Sequence, residues 1–212
     1  MKKAMCIVYE VEDSLYINIT NRCPNRCSFC IRNNGDGAYG SDSLWLEREP
    51  SVEEILKAVF EKDVQKYKEI VFCGYGEPAE RLSDAREVAL EIKKRYKNVK
   101  IRINTNGQSD LILGKNTAPM YKDAFDTVSI SLNASCAEKY QDMCHSVYGK
   151  EAFSAIITFA QNVNKYVQNV AFSVVRQALT EKELSECYEI SERAGVKLRV
   201  REYIPPSEAQ PS

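Results

Sequence analysis

Short runs of strand-forming residues alternate with segments of helical period along almost the whole chain, and this alternation limits the fold more than any other feature. The spacing predicts an N-terminal hairpin: a strand from Cys6 to Val11, a turn at Glu12-Asp13-Ser14, and a strand from Leu15 to Thr20. A helix from Val52 to about Lys62 follows, with Ser51 as its cap and Glu54 completing a capping box. Further strands are expected at Glu69 to Cys73, Val99 to Asn104, Asp126 to Leu132, Asn169 to Val175 and Lys197 to Tyr203. Helices are expected between them: Asp84 to Tyr96 with Ser83 as cap, Ala137 to Cys144, Ala152 to Tyr166, and a segment opened by Thr180 with Glu183 and ended by Gly195. Strands joined by helical crossovers pair in parallel with right-handed connections. A closed eight-unit barrel takes about 250 residues, whereas this chain has 212. The expectation is therefore a single α/β domain over residues 1–212. Its predicted fold is an open, partial (βα)6 TIM-like barrel with an N-terminal β-hairpin.

Polar motifs stand at the predicted strand ends, where parallel α/β barrels carry their sites. The first parallel strand runs into Asn21-Arg22-Cys23-Pro24-Asn25-Arg26-Cys27-Ser28-Phe29-Cys30, a C-x3-C-x2-C loop. The next ends in Gly74-Tyr75-Gly76-Glu77-Pro78, and the one after in Asn104-Thr105-Asn106-Gly107. The last three end in Ser131-Leu132-Asn133, Arg176-Gln177 and Arg201-Glu202-Tyr203. If the strands are parallel, all six motifs share one mouth.

The cysteine loop carries the chemistry. Three thiolates are one short of the four ligands that close a tetrahedral zinc or iron centre, and an open position is where metal chemistry takes place. Thiolates suit both iron and zinc, so a zinc knuckle that borrows a fourth ligand stays open as an alternative. Arg22 and Arg26 flank the cysteines and would favour their thiolate forms. Two glycines in the second motif let backbone approach a ligand closely, and Pro78 stiffens the exit. Arg176 is a candidate partner for a carboxylate or another anion. Cys6, Cys73 and Cys187 read as small buried hydrophobes. Cys136 and Cys144 lack a C-x2-C partner, so no second cluster is expected on them.

Composition excludes several classes. There is one histidine, His145, so a multi-histidine zinc hydrolase or a HExxH site is not available. His145 itself reads as a helix-end or loop residue. Eight cysteines with no secretory leader point to reduced thiols and metal in a cytoplasmic chain. No apolar run approaches the ~20 residues of a membrane helix. A formal net charge of −1 gives no argument for nucleic acid or an anionic membrane as a partner.

These motifs resemble those of the radical SAM enzymes. The C-x3-C-x2-C loop is similar to the family's cluster loop, in which three thiolates hold three irons of a 4Fe-4S cluster and S-adenosylmethionine ligates the fourth. Gly74 to Pro78 resembles the G-G-E-P motif that meets the methionyl amino end of the cofactor, with Tyr75 in place of the second glycine. Asn104-Thr105-Asn106-Gly107 resembles the T-N-G turn of glycyl-radical activases. The resemblance implies that Cys23, Cys27 and Cys30 are metal ligands. It places Phe29 on the adenine, and Gly74, Tyr75, Gly76, Glu77, Pro78, Asn104, Thr105, Asn106, Ser131, Asn133 and Arg176 around the nucleotide. Tyr39, Tyr75, Tyr203 and Trp45 stand near the predicted mouth as candidates for a substrate-side role.

Further segments extend the resemblance: Asp13 to Tyr16, Ser43 to Pro50, Phe72 to Pro78, Thr127 to Ala134 and Arg199 to Tyr203. Together they are similar to the TatD-linked radical SAM proteins, a group associated with a TatD-type hydrolase. The implied activity is reductive cleavage of S-adenosylmethionine to a 5′-deoxyadenosyl radical that abstracts hydrogen from a substrate. A one-electron reductant such as flavodoxin or ferredoxin and a TatD-type hydrolase are the implied partners. Two other functions stay open: an iron-sulfur electron carrier or sensor beside such a hydrolase, and a zinc-stabilised binding module.

Overall fold

Seven strands lie side by side in chain order in the computed structural model, which describes residues 2–202. They are β1 (Val8–Val11), β2 (Ser14–Ile17), β3 (Glu69–Phe72), β4 (Ile101–Thr105), β5 (Thr127–Ser131), β6 (Asn169–Val175) and β7 (Lys197–Arg201). β1 pairs antiparallel with β2, and every later pair is parallel. Neither β1 nor β2 pairs with β7 among the described residues, so the sheet is an open partial barrel behind a hairpin, as expected.

The register explains why one face is dry and the other wet. Successive side chains on a strand point to opposite faces. Ile17, Phe72, Ile103, Val128 and Val170 fall in one row across the sheet, and Ile130, Phe172 and Leu198 in another. Most of these are fully buried and join one apolar cluster with Ile55, Val88, Ile92, Ile156 and Phe159 of the helices. The alternate rows run Tyr16, Val71, Arg102, Thr127, then Asn104, Ser129, Ala171, Lys197, then Ser131, Ser173, Arg199. Those rows form the concave face and are largely polar. Stability therefore comes from the helix side, which leaves the concave side free for a site.

The helices are α1 (Val52–Phe60), α2 (Leu82–Arg95), α3 (Ser109–Leu113), α4 (Ala137–Cys144), α5 (Glu151–Val163) and α6 (Glu181–Ala194). Ser51 with Glu54 and Thr180 with Glu183 form both predicted capping boxes. Gly195 ends α6 at φ 71°, and His145 is the left-handed cap of α4 at φ 45°. None of the described helices is long and apolar enough to cross a membrane.

Several boundaries differ from expectation. Ser83 does not cap α2: a 3-10 turn, Pro78–Arg81, runs straight into the helix. Arg81 closes the junction through Asp84 Oδ2 and the carbonyls of Ile19 and Pro50. Ser14 starts β2 rather than closing the turn, which rests on Glu12 at φ 52°. Regular strand ends at Ile17, short of the expected Thr20, and the Asn18 side chain donates to the Leu44 and Cys6 carbonyls. Helix α3 was not anticipated, since five residues carry too little periodicity to read. Tyr203 lies outside the described residues.

Candidate functional site

The cysteine loop leaves β2 and is fixed by backbone contacts on two sides. The N–H of Arg26 donates to the carbonyl of Cys144 at 2.9 Å, and that of Ser28 to Met143 at 3.0 Å. These are last-turn carbonyls of α4, which lack partners within their own helix. Beneath them lies a buried network. Asn25 Nδ2 donates to Tyr140 OH at 2.9 Å, Gln108 Nε2 donates to Asn25 Oδ1 at 2.9 Å and to Tyr140 OH at 2.8 Å, and Ser146 Oγ donates to Gln108 Oε1 at 2.7 Å.

The glycine motif packs on the other side. Glu77 N–H donates to the Arg22 carbonyl at 2.8 Å. A Cβ on Gly76 would stand 2.3 Å from the Thr20 carbonyl oxygen, and one on Gly74 would stand 2.1 Å from Asn18 Oδ1. Close approach of two loops, not a left-handed backbone, is what demands glycine at both positions. Tyr75, in place of a glycine, is buried. Its hydroxyl donates to the Gly35 and Gly37 carbonyls at 3.0 and 2.9 Å, and its ring meets Trp45 edge-on.

Glu77 ties the second strand-end motif to the third. Its carboxylate accepts from Ala79 N–H at 3.0 Å, Thr105 Oγ1 at 2.7 Å and Asn106 N–H at 2.7 Å. Burial nevertheless pushes this carboxyl up to about 7, against the pull of the three donors. Beside it Asn106 is buried, and its Nδ2 has no partner among the described residues.

These pieces line one cavity of about 300 Å³. Of the predicted site residues, Cys23, Cys27, Cys30, Phe29, Gly74, Tyr75, Glu77, Asn104, Thr105, Asn106, Ser131 and Asn133 all reach it. Gly76 and Pro78 shape the loop from behind. Arg176 is not brought into this group. It stands past the end of β6 in a 3-10 turn, where its guanidinium donates to the Leu179 carbonyl and pairs with Glu181. Tyr39 reaches the cavity, while Trp45 only backs Tyr75.

Other lining residues had been given no site role, Arg201 among them although its strand-end motif was placed at the mouth. Cys73, read as a core thiol, faces the cavity with Tyr16, Asn25 and Arg201. The alternation Leu198-Arg199-Val200-Arg201 was the available signal for Arg201, because Leu198 and Val200 turn to the core.

Without metal the thiols resist ionisation. Burial pushes Cys23 up to about 12, with Glu77 adding to it, and burial also raises Cys30. Cys27 is raised by its hydrogen bond to the buried Cys144, then by burial, while Cys144 is lowered by the same bond. The cation that favours all three thiolates is Arg32, whose Nη2 donates to the Asn25 carbonyl at 2.8 Å. Arg22, expected in that role, turns away to Glu49 and Glu80.

Among the described residues no three His, Cys, Asp or Glu side chains gather closely enough to hold one metal ion. Three thiols spread along one cavity wall, a nearby guanidinium and the unpartnered Asn106 Nδ2 instead fit a multi-iron cluster with a polar ligand beside it.

Comparison with known proteins adds family information. The sequence model of the Radical SAM superfamily matches residues 17–190. A protein described as "Probable GTP 3',8-cyclase" of Thermococcus kodakarensis is 27% identical over 198 residues, which cover 92% of this chain and 58% of that protein. "Molybdenum cofactor biosynthesis protein 1" of Dictyostelium discoideum is 25% identical over 191 residues, covering 90% of this chain and 28% of that protein. This chain thus spans well under two thirds of the length of either. Among solved structures, a radical SAM methyltransferase from Sphaerobacter thermophilus superposes with a TM-score of 0.65 at 14% identity, over 95% of this chain and 71% of the other. That likeness supports the fold.

Proposed function

The chain belongs to the radical SAM superfamily, and on that premise we propose that it is an enzyme whose cavity holds a 4Fe-4S cluster and S-adenosylmethionine. When bound, this pair supplies a 5′-deoxyadenosyl radical that takes a hydrogen atom from a substrate. The observation that carries the reading is the meeting of three loop thiols, the glycine motif and the Asn106 donor in one cavity.

Cys23, Cys27 and Cys30 would hold the cluster. All three are protonated at neutral pH in the metal-free chain, so loading releases protons. Arg32 offsets the negative charge that results. Gly74 would bring backbone against the cofactor, Gly76 lets the loop pack on the Thr20 and Arg22 backbone behind it, and Glu77 holds the turn at Thr105 and Asn106 in register with them. Thr105 acts through that turn, since its hydroxyl donates to Glu77 and accepts from Gly107 N–H. Asn106 Nδ2 offers a hydrogen bond to a cofactor oxygen. Asn104, Ser131 and Asn133 extend the polar rim, and Phe29 offers an apolar face to the adenine. The apolar helix side excludes water from behind.

A one-electron reductant of flavodoxin or ferredoxin type would supply the electron. Association with a TatD-type hydrolase rests on the segment resemblance from Asp13 to Tyr203. Affinity capture of that hydrolase by the tagged, cluster-loaded protein tests it, and no enrichment over a Cys27→Ala control removes it.

The principal test is anaerobic. The protein is reconstituted with iron and sulfide, reduced and given S-adenosylmethionine, and 5′-deoxyadenosine is measured by chromatography. Slow formation is expected, and Cys27→Ala should abolish it together with cluster retention. Full activity in that variant, or zinc bound in place of a cluster, would sink the reading.

A further inference from the structure

Arginines line the concave face on β4 and on the edge strand β7. Arg102 on β4 is answered by Glu69, with Nη2–Oε1 at 2.7 Å and Nε–Oε2 at 3.2 Å. Arg199 and Arg201 on β7 make no ion pair or hydrogen bond among the described residues. Both alternate with the core-facing Leu198 and Val200, so both lie on the concave side. Arg201 lines the cavity, together with Val175 across the strand pair and Ser131, Asn104, Cys73 and Tyr39 further in. The neighbouring Glu202 also lines the cavity, where it accepts from Gln177 Nε2 on the adjacent strand's turn and forms no ion pair with Arg201 among the described residues.

The surroundings of Arg201 disfavour its charge. Desolvation by the cavity wall weighs most, and Arg199 and Arg102 add like-charge repulsion, although the residue as a whole is exposed to solvent. Ionised Cys73 or Tyr39 would help, but burial raises both, so they are neutral at neutral pH. A guanidinium lodged among cations at a cavity wall is arranged to meet an anion from outside the chain.

We infer that the substrate carries an anionic group, a carboxylate or a phosphate, and that Arg201 receives it at the β7 edge of the cavity. The inference deepens the reading of this cavity as a radical SAM site and rests on it. The anion anchored there leaves the remainder of the molecule over Cys73, Asn104 and Ser131, toward the cysteine loop. Arg201 is then a specificity-determining residue for the substrate, separate from the groups proposed for the cofactor on the cysteine and glycine loops.

Calorimetric titration of the cluster-loaded protein with S-adenosylmethionine bound tests this. Inorganic pyrophosphate and citrate are titrated separately, which distinguishes a phosphate from a carboxylate preference. At least one should bind saturably. Arg201→Gln should weaken that anion roughly tenfold or more, the loss expected for a charge-assisted pair, and Arg201→Lys should fall between. Cluster content and affinity for S-adenosylmethionine should be unchanged in both variants. Saturable binding of neither anion to the wild type, or equal binding to Arg201→Gln, overturns the proposal. So does loss of S-adenosylmethionine affinity in Arg201→Gln, which would make Arg201 a cofactor residue. A wild-type protein that loads no cluster or binds no S-adenosylmethionine overturns the parent reading as well, and iron content reads that failure separately.

Discussion

Glu77 shows how one residue can serve both fold and site. It is buried, bonded by three donors, and still held up to about 7 by desolvation. Below that value the folded chain binds a proton that the unfolded chain does not take until near 4.5. The folded state binds more protons in this window, so its contribution to the stability of the metal-free protein falls as pH rises from 4.5 to about 7, then levels. Denaturant midpoints across that range should show the slope, and Glu77→Gln should flatten it. A midpoint unchanged by the substitution across the window would contradict the argument. Gly76 makes a steric case: an added methyl would sit 2.3 Å from the Thr20 carbonyl oxygen and 2.7 Å from that of Arg22, both backbone atoms that cannot swing aside. Gly76→Ala should cost about 1–3 kcal/mol and reduce iron retained after reconstitution, read by melting and by iron assay. The glycines were read from the sequence as room for backbone to approach a ligand; the collision within the chain that requires them was not visible, because the partner loop lies more than fifty residues earlier.

At the scale of elements, the site depends on how the cysteine loop is held against α4. The loop reads clearly from spacing alone, but its anchorage does not: Asn25, Gln108, and Tyr140 with Ser146 come from three segments far apart in the chain. Tyr140→Phe removes the only described acceptor of Asn25 Nδ2, leaving a buried donor unpaired at a cost of about 1–3 kcal/mol. The metal-free protein should unfold at lower denaturant, and iron should leave the loaded protein faster under a chelator; equal release from both forms would show that the network does not brace the loop. The two arginine assignments also belong to this scale. Arg176 stands one residue past β6, where the chain turns and its side chain folds back on Glu181. Arg201 is still within β7, where strict alternation aims it at the cavity. Sequence places both near a strand end, and only the last residue of regular strand decides which way each points.

For the whole molecule, the apolar core lies between sheet and helices, and the cavity lies on the concave side. Stripping the iron should therefore leave the far-ultraviolet circular dichroism unchanged. The melting temperature should drop, because the bound group stabilises only the native state. Hydrogen exchange should rise in residues 20–34, 74–78, 104–108 and 141–147 and stay constant in β3 to β6; loss of protection throughout the sheet would show that the site supports the fold. The sequence by itself determined the order of the strands and of every helix but α3, the hairpin, the parallel crossovers, both capping boxes and the spacing of the three cysteines. All of these follow from periods of 2 and 3.6 residues and from spacing within one segment, which are local properties. Tertiary structure alone decided that Cys73 faces the cavity, that Arg32 rather than Arg22 attends the thiols, that Cys144 lies against Cys27, and that Arg201 stands on the cavity wall with no ion pair among the described residues. Those depend on which side chains distant segments bring together, and that is set by the register and packing of the folded sheet.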